Sequence, residues 1–551
     1  MDATVGYGWI SLVPPLLTIV LAIALRRVIL ALLIGIATGV LIQLPAPQWN
    51  SDGSWIAYVG ASGQRFCVDF FESHLWHSLS DPDHQRVFVF TSLLGMQVAL
   101  IHRAGGMQGI VHWAAPLARS RRGGQLLTWF LGLVIFIDDY ANTLLLGSTM
   151  RPIADRLKIS REKLAFLVDS TAAPVSGLAL VSTWVATEIS TMETGFQQAG
   201  IDISGQTFGL FLETIPVRFY ILFALLFVFL VAVMNRDFGP MLRAERAAQS
   251  GTLGRQGVVD EQAVNAGRTA PNAWNAIVPI GITVAVVVWL LVVTGQAESG
   301  VPRLPQWTDW RGWGQVVGSG DSYLSLVYGA LAGLLVIIAM IRWQDRLTIG
   351  QIHAALAAGF AHVVPAMVIL WLAWTLSRLT DGDHLATGQF LASRVQQLNL
   401  PVAWMPTVVF ILSSAIAFST GTSWGTMAIV MPMVIPLVYG LLPGGAGTAE
   451  SIHDPALVGS IGSVLAGAIF GDHCSPISDT TILSSRSSDC DHIAHVRTQM
   501  PYALLVAGVS ILCGTLPAAV GVSSWILLPL GGLCMVLALW WFGRPVDAEG
   551  C

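Results

Sequence analysis

The sequence predicts an all-α polytopic membrane protein of two inverted-topology repeats, each with five crossings plus a re-entrant hairpin, and one extra C-terminal span. Three observations predict it: an apolar composition, a series of short motifs that occurs twice in the same order, and the placement of arginine. Of the 551 residues, 54% are apolar and 11% are charged, where a soluble domain carries roughly a quarter charged. Runs near the roughly 20 residues that cross a hydrocarbon core recur along the whole chain. The first, Trp9 to Leu25, follows Asp2 rather than a basic stretch and lacks an evident cleavage site, so it reads as a retained span rather than a signal peptide.

The duplication rests on four matches. Val13-Pro14-Pro15-Leu16-Leu17-Thr18 returns as Val278-Pro279-Ile280-Gly281-Ile282-Thr283, and Pro174 to Thr183 returns as Pro476 to Ser485. Asp169 and Asp472 precede those two prolines, with Phe166 and Phe470 ahead of them, and Thr214-Ile215-Pro216 and Gln499-Met500-Pro501 open the spans that follow. Any one match is expected by chance in apolar sequence; four in one order indicate a repeat.

Cytoplasmic loops collect Arg and Lys. Here the clusters are Arg26/Arg27, Arg119/Arg121/Arg122, Arg151 to Lys163, Arg236 to Arg268, Arg342/Arg346 and Arg486/Arg497, while residues 45–85, 190–213 and 441–456 are acid-rich and poor in Arg. Both flanks of Gln125–Met150 are basic, so that segment is read as entering and returning on the cytoplasmic side. Two arms of about a dozen residues rise about 18 Å each, enough to reach the middle of a core about 30 Å thick. Trp404–Gly440 is its counterpart. Five crossings per repeat invert the second copy, an arrangement found in secondary transporters with a site near the midplane. The expected divisions are repeat 1 at 1–235, a cytoplasmic linker at 236–272, repeat 2 at 273–521, and the extra span and tail at 522–551. Twelve or thirteen plain crossings are the alternative, at the cost of a strongly basic loop outside.

Several functions are disfavoured. No basic tract suits nucleic acid, and no G-x-x-x-x-G-K-[ST] loop is present to cradle ATP. The six cysteines are scattered without a CxxC, which argues against a disulfide framework. Asp489, Cys490, Asp491, His492 and His495 have the residue types of a zinc site, but a polar loop is the simpler reading.

Four segments put polar chemistry where hydrocarbon is expected. A carboxylate at membrane depth costs about 2.5–3.5 kcal/mol on insertion scales and calls for a partner, a cavity or an ion. The first segment, Phe136 to Thr143, has adjacent Asp138 and Asp139 at the hairpin tip, with Asn142 and Thr143 behind them. A cation or a shared proton relieves the repulsion of such a pair, although one Asp can also cap the returning helix. The second contains Asp169, Pro174 and Ser176, followed by Ser182, Thr183, Thr187 and Glu188. There the proline breaks a helix and frees carbonyls for a cation, with pairing of Asp169 to a nearby Arg as the plainer option; Glu188 is expected at the solvated outer interface. In the third, Ser419 to Thr426, the hydroxyls of Thr420, Thr422 and Ser423 are either hard oxygen ligands or helix glue. The fourth contains Asp472, His473, Ser475, Pro476, Ser478, Asp479 and Thr480. Its proline opposes a continuous helix, and a half-helix starting near Ser478 points its positive end inward. His473 is either a titrating group or a satisfied hydrogen-bonding one.

Gly471 to Ser485, Phe136 to Tyr140 and Ser419 to Thr426 make the chain resemble the NhaC-type Na⁺/H⁺ antiporter family of the wider ion-transporter superfamily, from about Trp9 to Leu516. The resemblance implies cation-coupled exchange in a bacterial cytoplasmic membrane without a cofactor or enzymatic activity. It also admits organic acids, since similar members exchange malate for lactate. In the leading reading Asp138, Asp139, Asp472 and Asp479 bind either Na⁺ (or Li⁺) or protons, with Asp138, Asp472 and Asp479 as the sodium ligands. Asn142, Thr143, Ser478 and Thr480 complete the oxygen shell. An organic-acid or amino-acid exchanger is the rival, and it requires a cation at the site. Lys158 and Lys163 are the only lysines and fall in a predicted cytoplasmic loop, which leaves Arg378, at the end of a span, as the nearest candidate. Lipid is the expected surroundings, and a homodimer is the candidate assembly.

Overall fold

The computed structural model describes residues 7–25, 27–44, 55–114, 116, 118–203, 206–251, 270–298, 304–306, 312–313, 316–317, 319–380, 383–387, 390, 401–442 and 449–546. The chain begins with α1 (Val13–Leu25) and α2 (Val28–Gln43); α3 (Trp55–Val68) and α4 (His77–Ser80) lead to α5 (Pro82–Arg103) and α6 (Gly106–Ala114). Next come a helical hairpin, α7 (Arg121–Val134) with α8 (Asp139–Arg156), and an interrupted pair, α9 (Arg161–Ser176) with α10 (Thr183–Gln198). The first half closes with α11 (Thr207–Thr214), α12 (Phe219–Met234) and α13 (Gly239–Gln249). The second half runs α14 (Trp274–Glu298), α15 (Ser322–Trp343), α16 (Ile349–Thr380), the hairpin α17 (Met405–Thr420) with α18 (Ser423–Leu441), and the interrupted pair α19 (Pro455–Cys474) with α20 (Asp479–Ser487). It ends with α21 (His492–Ser510), α22 (Leu516–Ala519) and α23 (Ser524–Phe542). Among the described residues, eight helices are long and apolar enough to cross a membrane, or nine if the pair bent by 52° at Arg218 counts as one.

Packing follows polarity. Of the eight, α19 has the lowest mean hydropathy, 1.4, and is 89% buried, whereas α14 at 2.8 is 28% buried and α23 at 2.0 is 22% buried. The most polar span is therefore innermost, as expected where lipid solvates only apolar faces. Small residues allow close approach in both halves. Thr18 Oγ1 donates to Pro14 O (2.9 Å) under Gly35, and Thr283 Oγ1 donates to Pro279 O (3.0 Å) under Gly333. A Cβ at either glycine would lie 1.9 Å from the threonine oxygen. The halves meet where α5 packs on α16 and α12 on α21.

Both hairpin arms are longer than a dozen residues. Ser120 caps α7 by accepting from Gly123 N (3.1 Å), so the arginine-bearing first turn is itself helical. The arms span 14 and 18 residues in the first hairpin and 16 and 19 in the second. Arg121 donates to Lys158 O, so the two feet of the first hairpin stand together.

Two placements differ from the sequence reading. Helix α9 runs through Pro174 to Ser176, and the interruption falls at 177–182, where Ser182 donates to Ser176 O (2.7 Å) and caps α10. A proline removes one amide donor but does not by itself stop a helix that packing holds on every side; all of Lys163–Ser176 is buried. Lys163 is likewise no loop residue. It lies buried in the first turn of α9 and pairs with buried Asp237, which also accepts from Tyr502 Oη. The linker thus begins as a docked element: strand β1 (Arg236–Asp237) pairs with β2 (Arg544–Pro545), and buried Glu245 of α13 accepts from Ser160 N (2.7 Å) and Arg121.

Removing one partner of a buried ion pair leaves the other charge uncompensated, at about 3–5 kcal/mol, whereas replacing both by apolar groups costs far less. Asp237→Ala is therefore expected to lower the melting temperature in detergent sharply, and Lys163→Met with Asp237→Leu to recover most of that loss, as read by tryptophan fluorescence.

Candidate functional site

The two interruptions and the two hairpin tips meet. At the first tip, Thr183 N donates to Ile137 O (2.9 Å) and Thr183 Oγ1 to Asp138 Oδ2 (3.1 Å). At the second, Ser475 Oγ donates to Phe418 O (2.7 Å). Gly421 has φ +69°, and a Cβ there would lie 2.5 Å from Ile477 O, so the close approach needs glycine twice over. Two further contacts cross between the halves: Tyr140 Oη donates to Asp479 Oδ2 (3.2 Å), and the Trp184 and Trp424 rings stand 5.4 Å apart.

Asp138, Asp139, Asp472 and Asp479 all act electrostatically on Tyr140, so the four predicted carboxylates share one region. Their surroundings differ. Asp139 is fully buried beside the Trp184 indole, and neither carboxylate oxygen has a hydrogen-bonded partner; Asp138 and Asp472 both repel it. Asp472 accepts from Thr480 Oγ1 (2.7 Å), which also lies 3.1 Å from Ser478 Oγ. Asp479 is exposed and lines a cavity of about 580 Å³ with Arg27, Thr420 and Thr422. Another cavity, of about 350 Å³, reaches Asp138 and is lined by His102, Arg103 and His362. Among the described residues no three His, Cys, Asp or Glu side chains converge at metal-ligand spacing. The carboxylates share a region rather than form a closed cage, and hydroxyl, amide and backbone oxygens stand near them. Asn142 is one of these neighbours: its amide nitrogen donates to Gly132 O and Ile135 O (2.8 Å each), while its oxygen is buried without a hydrogen-bonded partner.

Other predicted residues serve the backbone. Thr143 donates to Asp139 O (2.7 Å), Thr420 to Ile416 O (2.9 Å) and Ser423 to Ala468 O (3.2 Å). Thr422 caps α18 and Ser478 caps α20, which begins at Asp479 as expected. Ser176 is buried with its hydroxyl unpartnered, and His473 Nδ1 lies 3.0 Å from Tyr220 Oη. Among the described residues Asp169 pairs with no arginine. It sits in a separate nest, accepting from Thr481 (3.2 Å), Ser484 (3.0 Å) and Gln499, with His495 Nε2 at 3.5 Å. The residues of the zinc reading are dispersed: Asp489 pairs with Arg161, Asp491 caps α21, and His492 bonds Ser485 Oγ and Pro476 O.

Glu188 is corrected. It is buried rather than solvated, and pairs with fully buried Arg218 (2.8 Å). Arg218 also donates to Gly177 O at the first interruption and to Thr214 Oγ1 (2.7 Å), and its guanidinium lies 4.8 Å from the centre of the Phe211 ring. Sequence reasoning missed this arginine, although its position was a signal. It adjoins a connection otherwise poor in Arg, at the head of a strongly apolar helix.

A family model for the Na⁺/H⁺ antiporter family matches residues 175–516. An uncharacterised protein of Haemophilus influenzae is 33% identical over 501 residues, 90% of this chain and 88% of that protein. The malate-2H⁺/Na⁺-lactate antiporter of Bacillus subtilis is 39% identical over 90 residues, 16% of this chain and 17% of that one. The crystal structure of the Alcanivorax borkumensis YdaH transporter superposes with a TM-score of 0.48 at 14% identity, covering 97% of this chain and 99% of that one. With the matched region taking in both interruptions and the second hairpin, the chain belongs to the Na⁺/H⁺ antiporter family.

Proposed function

We propose that the protein exchanges Na⁺ or Li⁺ for H⁺ by alternating access across a bacterial cytoplasmic membrane, on two inverted repeats flanking a midplane site. One observation carries this reading. Asp139 is a carboxylate sealed from solvent, without a hydrogen-bonded partner, repelled by Asp138 and Asp472, and paired with no Lys or Arg among the described residues. A carboxylate in that position needs a proton or a cation, and competition between the two at one cluster gives exchange without a second gate. The recurrence of hairpin, interruption and Pro-Thr-Gly contact in each half supports the repeats, and the two cavities that reach Asp138 and Asp479 support access to the carboxylates. A family of antiporters is a family of transporters, so an enzymatic role is set aside.

Purified protein in liposomes with an internal pH dye tests this. Na⁺ or Li⁺ added outside a preset proton gradient is expected to dissipate it, and indifference to both overturns the reading. A charge-assisted contact worth about 3 kcal/mol corresponds to about 100-fold. Asp139→Asn and Asp472→Asn are thus expected to lower cation-driven proton flux about 100-fold while the protein inserts normally.

A second reading is favoured by the cavity in which His102, Arg103 and His362 stand around Asp138, a setting suited to an organic acid. Under it, malate or an amino acid dissipates the gradient where Na⁺ alone does not. Arg103→Gln separates the two: it is expected to weaken half-saturation by an acid about tenfold or more, and to leave a pure Na⁺/H⁺ exchanger within about twofold of wild type.

A further inference from the structure

We infer that Asp169 and His495 form a second proton-binding site, distinct from the carboxylates at which cation and proton compete, and that its proton sets how tightly proton movement follows cation movement. The inference rests on the exchange reading above and adds a location and residues to it. Both side chains are fully buried, with Asp169 Oδ2 and His495 Nε2 3.5 Å apart, and neither imidazole nitrogen of His495 has a hydrogen-bonded partner. Asp169 otherwise accepts from neutral donors only, Thr481, Ser484 and Gln499, and no Lys or Arg pairs with it among the described residues. The groups facing it are His473, Cys474 and Asp472 of α19, Tyr220 of α12 and His495 of α21, while α20 presents the hydroxyls. Imidazole is thus the basic group available to it among the described residues.

The connection to the cation region runs through two side chains. Thr481 Oγ1 bonds Asp169 Oδ2 (3.2 Å) and Asp472 O (3.3 Å), and Gln499 Nε2 bonds Asp169 and His473 O (2.9 Å). Those two carbonyls end α19 immediately before its interruption, on the residues that carry and follow the Asp472 carboxylate. Adding a proton between Asp169 and His495 weakens Asp169 as an acceptor and frees Thr481 and Gln499 to favour the α19 carbonyls. Those carbonyls belong to the turn that carries the Asp472 carboxylate, which gives the pair a path to the carboxylate cluster.

The test separates cation movement from proton coupling in the same vesicles. Asp169→Asn and His495→Gln are reconstituted, and ²²Na⁺/Na⁺ counterflow is measured beside Na⁺-driven acidification across about pH 6 to 8. Counterflow is expected to stay within about twofold and the Na⁺-driven proton flux to fall about tenfold or more, with its dependence on pH flattened. If both fluxes fall together in monodisperse His495→Gln protein, the pair is part of the cation site and the inference fails. Unchanged proton flux overturns it as well. Should Asp169→Asn not fold, His495→Gln decides alone, because it leaves the Asp169 hydrogen bonds in place. Wild-type vesicles without Na⁺ counterflow overturn the exchange reading itself and the inference with it, an outcome distinct from either failure in the variants.

Discussion

Every other feature of this interior depends on satisfying backbone groups that a broken helix leaves bare in hydrocarbon. An interrupted span exposes several carbonyls and amides, and each unpartnered buried group costs about 1–3 kcal/mol. Neither interruption is closed by its own helix alone. The first draws on the α7–α8 tip through Thr183 and Ile137, and the second draws on the α17–α18 tip through Ser475 and Phe418. The density of Ser, Thr and Gly in these four segments follows from that requirement, since they supply short donors and allow the backbones to touch. The carboxylates gather there because the construction ends helices there. Asp139 opens α8 and Asp479 opens α20, each at the positive end of a helix, which offsets part of the cost of keeping charge in such a place.

The deep basic groups are already matched. Lys163 is held by Asp237 and Arg218 by Glu188, each pair fully buried. Arg218 in addition holds the Gly177 carbonyl, so its charge closes an interruption and is not open to a substrate anion. Among the described residues, Asp139 is therefore left between the tips as a buried carboxylate paired with no Lys or Arg. On the exchange reading proposed above, that favours a small cation as cargo and narrows the organic-acid alternative to the cavity beside Arg103.

Much of the architecture was legible because duplication and hydropathy are written in local sequence. The Pro14/Thr18 and Pro279/Thr283 pairs, the tip at Asp138 and the half-helix starting at Asp479 need only short-range patterns. What escaped depends on partners far along the chain. Glu188 looked interfacial because its partner Arg218 lies 30 positions on, beyond a bend, and Lys163 looked exposed because Asp237 belongs to what read as a linker. Asp169 and Asp472 match in sequence order yet differ in environment, one among α20 hydroxyls and α21 side chains, the other facing Thr480 of its own interrupted pair. Pattern reveals equivalent positions; it does not reveal which neighbours have diverged.

That divergence bears on how a duplicated fold does directional work. Two identical halves would put equal chemistry on both tips, and a cation would meet like sites from either side. Here the first tip carries adjacent carboxylates and the second carries hydroxyls that cap helices and bond to carbonyls. The interruptions diverge in the opposite sense, with Asp472, Asp479 and Thr480 in the second and Gly177 held by Arg218 in the first. Charge from the first tip thus meets charge from the second interruption, through Tyr140 and Asp479, while the remaining tip and interruption meet through two tryptophans. One crossing of the repeats is polar and the other is apolar. On the exchange reading proposed above, a cargo ion desolvated at the polar crossing has no equivalent resting place at the apolar one, so the repeats would supply the geometry of two access states while their divergence confines the chemistry to one.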